Sequence, residues 1–93
     1  MTRSDVLTTA ERLVNGDRDQ AHGQPAHTFG VIADFWTVYL STKLGVDFVL
    51  YPHDVAAMMI LMKTGRIVAN HRHIDSWVDV AGYAACGAEV AES

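Results

Sequence analysis

The chain holds a single cysteine (Cys86), two prolines (Pro25 and Pro52) and three glutamates (Glu11, Glu89 and Glu92). Its longest uninterrupted apolar run covers only 55–62. One cysteine rules out a disulfide framework and suits a reducing compartment. Few prolines with 49% apolar residues argue against an extended or disordered chain. The apolar run is far shorter than the roughly 20 residues that cross a bilayer. The polar opening Thr2, Arg3, Ser4, Asp5 lacks the apolar stretch of a signal peptide. Positive charge is also scarce: 7 Lys and Arg stand against 11 Asp and Glu, a net charge of −4. That balance gives no electrostatic ground for direct DNA or RNA binding or for an anionic membrane surface. The expectation from these absences is a cytoplasmic location, and 93 residues are expected to make one domain, 1–93.

What is present is helical periodicity. Val6, Leu7, Ala10, Leu13 and Val14 form an apolar stripe in a first helix over 4–14, with Ser4 as its N-cap and Asn15-Gly16 as its stop. A long polar connection follows. A second helix over 26–43 has a broad apolar face from Phe29 to Leu40 and ends at Gly45. Residues 46–51 are apolar enough for a strand, but a lone strand has no pairing partner, so they read as a connection. Pro52 suits the first turn of a third helix, where the carboxylate of Asp54 meets free N–H groups, and this helix runs to about Asn70. Over 55–62 it is apolar all round, as in a central helix or one shared with a second subunit. A short polar turn (Asn70, His71, Arg72, His73) sends a fourth helix back antiparallel over 75–89. The expected architecture is all-α, a four-helix bundle-like domain that associates with itself, a two-fold dimer first.

The fourth helix carries the chemistry. Asp75 and Asp79 lie one turn apart on one face, and Asp79 sits among small apolar residues where a carboxylate is costly to bury without a partner. With Asp54, and with Asp34 on the second helix, they form a carboxylate set of the kind that binds Mg2+ between helices. The structural alternative makes Asp54 and Asp75 ordinary helix-start charges and pairs Asp79 with Lys63, Arg66 or Arg18; helix-start acids are common, so it weighs more. Lys63, Arg66 and Arg18 either close that ion network or hold a phosphate. The five histidines have no zinc-site spacing and read as solvated turn residues. Cys86 reads as a buried space-filler, and Trp77 and Tyr83 as core aromatics.

Several blocks carry a resemblance. Asn15-Gly16-Asp17-Arg18, His22-Gly23-Gln24-Pro25 and Phe29 resemble the opening of a group of small phage and prophage helical proteins of unknown function. So do Asp54-Val55-Ala56, Met59, Lys63 and Arg66, and the long block from Asp75-Ser76-Trp77-Val78-Asp79 to Ala85. The likeness covers about 13–85 and implies a phage-encoded protein acting in the host cytoplasm. The group in turn is similar to MazG-type all-α nucleotide pyrophosphohydrolases, which bind Mg2+ through acidic pairs on adjacent helices. Asp79 matches the last aspartate of their second acidic motif. Ser76 stands where that motif has glutamate, and only Asp34 is at hand for the first pair. The resemblance implies a nucleotide-related role. Asp79, Asp75 and Asp54 would hold Mg2+, Lys63, Arg66 and Arg18 would neutralise phosphate, and Arg18 and His22 would line the pocket. Catalysis is one form of that role, and binding or sequestering a nucleotide without turnover is another. The competing expectation is a non-enzymatic oligomer that docks on a host or phage protein through Phe35, Trp36 and Tyr39.

Overall fold

A computed structural model describes residues 1–16 and 24–92, and among these described residues the regular structure is four helices. They are α1 (Arg3–Asn15), α2 (Pro25–Leu44), α3 (Pro52–Ala69) and α4 (Ile74–Ala91). No strand occurs among the described residues, and no helix there is long and apolar enough to cross a membrane. Most of the connection between α1 and α2, with Arg18 and His22, lies outside the described residues.

Each helix starts and stops for a local reason. α1 begins one residue earlier than the periodicity suggests, because Thr2 and not Ser4 is its N-cap. The Thr2 hydroxyl accepts the Asp5 N–H at 3.1 Å, and the Thr2 N–H donates to the Asp5 carboxylate at 3.0 Å. This reciprocal box satisfies two amide donors at the helix start. It also holds the exposed Asp5 carboxyl below the usual carboxylate range, chiefly through the hydrogen bond from the Thr2 backbone. Pro25 opens α2. Gly45 closes it at φ 68°, a left-handed conformation that glycine adopts without penalty, and donates its N–H to the Ser41 carbonyl at 2.9 Å. Pro52 opens α3, and the Asp54 carboxylate accepts the Tyr51 N–H at 2.8 Å. The α3–α4 turn is fastened twice: the Asn70 side-chain oxygen accepts the Arg72 N–H at 3.1 Å, and the Trp77 indole N–H donates to the His71 carbonyl at 2.9 Å.

Residues 46–51 form a strap along α2. With no neighbouring strand, the strap turns its backbone to side chains of α2. The Leu50 N–H donates to the Thr37 hydroxyl at 2.8 Å, and the Ser41 hydroxyl donates to the Phe48 carbonyl at 3.3 Å.

α4 is the hub. It packs most extensively on α3 and also carries α1, while α2 lies mainly on α3. Its small residues set these distances. A Cβ on Gly87 would stand 2.9 Å from the Ala56 Cβ, and one on Gly82 would stand 3.2 Å from Val14 Cγ1. The core gathers where α2, α3 and α4 meet: Phe29 and Ala33, Val55 and Ala56, and Val90, with Trp36, Met59, Tyr83 and Cys86 around them. The Phe29 and Tyr83 rings pack at a centroid distance of 6.3 Å.

Three expectations need correction. Trp77 is not a core aromatic: it is 46% exposed, and its indole is used across the turn. His73 is not simply solvated, since its Nδ1 lies 2.9 Å from the hydroxyl of the fully buried Ser76. Cys86 is only partly buried, packed at the edge of the core.

The Gly87–Ala56 approach generates a prediction. Gly87→Val should destabilise the chain by about 1–3 kcal/mol, because the new side chain must displace a rigid Cβ on the facing helix. A lowered thermal midpoint by circular dichroism would show it, and an unchanged midpoint would contradict the contact.

Candidate functional site

The helix rotation imposed by the α3–α4 contact decides what Asp79 meets. Ala56, Met59 and Lys63 follow at helical spacing, so the face of α3 that packs its N-terminal half also brings Lys63 to the seam. Lys63 Nζ lies 2.9 Å from Asp79 Oδ2, and only 17% and 13% of the two side chains are exposed. This is the pairing that the structural alternative requires. Arg66 points elsewhere: it is exposed, and its Nε donates to Met62 Sδ at 3.4 Å.

The other acidic residues are engaged locally. Asp75 is exposed in the first turn of α4. Asp54 accepts the Tyr51 N–H and lies 3.7 Å from His53 Nε2, whose ring stacks on Tyr51. Asp34 is exposed on α2. Among the described residues, no three side chains of His, Cys, Asp or Glu come together as a group able to hold a metal. The donor set described here therefore does not fit Mg2+ bound by Asp54, Asp75 and Asp79 together. A cation at Asp79 would first have to displace an ammonium group from a largely dry seam. Arg18 and His22, the remaining candidates for phosphate or ligand binding, lie outside the described residues.

Two features escaped the sequence reading. The His73–Ser76 contact has only a three-residue spacing as its signal, which is easily lost between two aspartates. The second is an open groove of about 550 Å³ between the C-terminal half of α2 and the strap, with Val38, Thr42, Asp47 and Val49 in its walls. It exists because Thr37 and Ser41 capture the strap, and nothing in the hydrophobic pattern signals that. Beside the groove, α2 turns Phe35 (71% exposed) and Tyr39 (63% exposed) outward, while Trp36 turns in to the core.

The ion pair can be tested by its asymmetry. Asp79→Ala should cost about 3 kcal/mol by stranding the Lys63 charge, whereas Lys63→Met with Asp79→Leu should restore most of that loss. Urea denaturation of both variants measures the difference; equal losses would show that the pair is not the reason for the Asp79 effect.

A search of solved structures yields no match to the chain. Among curated proteins, the chain is 47% identical over 79 residues to the Gene 55 protein of Mycobacterium phage L5, covering 85% of this chain and 47% of that protein. It is 38% identical over 81 residues to the Gene 55 protein of Mycobacterium phage D29, covering 87% of this chain and 50% of that one. The chain thus spans about half the length of these relatives. A family model described as a domain of unknown function, DUF6378, matches residues 5–91. The helical chain with the Lys63–Asp79 seam belongs to the DUF6378 family, in the company of phage proteins.

Proposed function

We propose that this chain is a phage accessory protein that works by binding another protein, with the outward face of α2 as its contact surface. One observation carries the reading. The acidic residue best placed for chemistry is matched by a lysine at 2.9 Å, while Phe35 and Tyr39 stand largely in water. Val38, 66% exposed, lies between them on the same face, and Asp34 and Asp47 flank it. Tyrosine and its apolar neighbours are the residue types that dominate interface energies. The acidic flank and the net charge of −4 fit an apolar partner patch with a basic rim. The phage origin of the relatives supports a phage or host protein as that partner.

A second reading keeps the nucleotide link implied by the MazG-type resemblance, with Lys63 as its phosphate-binding group. A lysine held at a helix seam would take up a phosphate oxygen once the pair opened, with exposed Arg66 three residues on. Under that reading the chain is an Mg2+-dependent nucleoside triphosphate pyrophosphohydrolase or a nucleotide-binding relative without turnover. It requires Asp79 to exchange its lysine for the cation.

The first reading predicts that a partner captured from infected-host lysate by the wild-type chain is lost with Tyr39→Ala and Phe35→Ala, each costing about 2 kcal/mol or roughly thirtyfold in affinity. Equal capture by variants of unchanged helicity sinks it. The second predicts release of pyrophosphate, or at least a raised melting temperature, with nucleoside triphosphates and Mg2+. A flat response in both assays sets it aside.

A further inference from the structure

The outward face of α3 bears the part of its all-round apolar sequence that the other helices leave uncovered. Ala57, Leu61, Gly65 and Val68 follow one another at spacings of four, four and three, so they form one stripe. Leu61 is 69% exposed and Val68 83% exposed, with Met58 and Met62 partly exposed beside them. No charged residue falls between Asp54 and Lys63, and Lys63 is turned to the other side. A solvated helix face of this length normally carries charges.

Gly65 is an independent sign. Glycine is a poor residue inside a helix, and it persists where something must come close. Among the described residues nothing requires it: outside its own stretch of helix no atom lies within 4 Å of where its Cβ would stand, and its φ is not left-handed. Gly87 and Gly82 have visible partners on facing helices; Gly65, like Gly30 on α2, has none. Its place in the middle of the exposed apolar stripe is explained by a helix that this chain does not supply to itself.

We propose that α3 is a self-association surface on which two copies of this chain pair two-fold, their α3 helices antiparallel and crossing near Leu61. An antiparallel pair centred on Leu61 sets Gly65 of each copy against Ala57 of the other, so the two backbones meet through their smallest side chains. It also sets the Asp54 end of one helix beside the Arg66 end of the other, matching opposite charges and opposite dipole ends. Each copy contributes the exposed parts of Met58, Leu61, Met62 and Val68, with the backbone around Gly65, so pairing counts the patch twice toward the approximately 1,000 Å² that marks a specific interface. A self-complementary patch also closes after two copies and does not propagate. The face differs from the partner-binding face of α2, so the two can be occupied together.

The test uses the full chain. Sedimentation velocity from low to high micromolar concentration should give twice the chain mass. Gly65→Leu and Leu61→Glu should each return it to a single chain mass while the helical circular dichroism persists. In the isolated chain a methyl group on Gly65 meets nothing and improves helix propensity, so Gly65→Ala should leave folding intact yet raise the dimer dissociation constant at least tenfold. Leu61→Cys in a Cys86→Ser background should cross-link to a covalent dimer under mild oxidation, because the crossing point places the two copies of residue 61 together. A wild-type chain that stays monomeric throughout, or a dimer indifferent to Gly65→Ala and uncross-linked through residue 61, overturns the proposal.

Discussion

α3 and α4 can lie together only as closely as Gly87 allows, and the remainder of the molecule follows from that approach. With no Cβ between them, the Ala56 methyl group sits against the α4 backbone. That contact fixes the rotation of α3 about its axis. The rotation sends Val55, Ala56 and Met59 to the core, swings Lys63 onto Asp79, and leaves Ala57, Leu61, Gly65 and Val68 outside. The site and the surface are thus two results of one packing constraint. A bulkier α4 would have loosened the seam, and the ion pair would have become an ordinary solvated one.

The limits of the sequence follow from the same constraint. Helix ends were legible where chemistry marks them: Gly45 for the left-handed stop, Pro52 for the start of α3, the Asn70–His73 turn for the reversal. The start of α1 was misplaced although its signal was there, since Thr2 and Asp5 have capping-box spacing and Ser4 does not. Over 55–62 nothing was legible about orientation, because a helix that is apolar all round does not say which side faces in. For that reason the sequence could narrow the partner of Asp79 to Lys63, Arg66 or Arg18 and go no further. Lys63 and Arg66 point only about 60° apart around the helix, and the rotation of α3 decides which of them reaches the seam. Trp77 misled for the opposite reason: hydrophobicity argued for burial, while its indole N–H had a use at the turn.

Membership of the DUF6378 family and similarity to phage Gene 55 proteins bound the biology without naming a reaction. The Lys63–Asp79 seam then shifts attention from the middle of the bundle to its outside. Catalytic carboxylates in helical bundles work by convergence on a shared point, and here Asp54, Asp75 and Asp34 serve or face solvent in separate places. Apolar side chains on the outer faces of α2 and α3 are the more unusual asset. Among the described residues few side chains are fully out of water.

The strap over 46–51 has a consequence for how this molecule opens. Beyond the Val46 N–H, which donates to the Ser41 carbonyl at 3.3 Å, its backbone is tied to α2 through two hydroxyl groups, Thr37 and Ser41, and not through a ladder of amides. Hydroxyl tethers can be exchanged for water one at a time, so the strap can detach while α2, α3 and α4 keep their own hydrogen bonds. The Leu50 amide would then exchange its hydrogen with solvent far sooner than the amides of α4. A local peeling of this segment, at the cost of the Leu50 packing, would widen the groove beside Val38 without unfolding a helix.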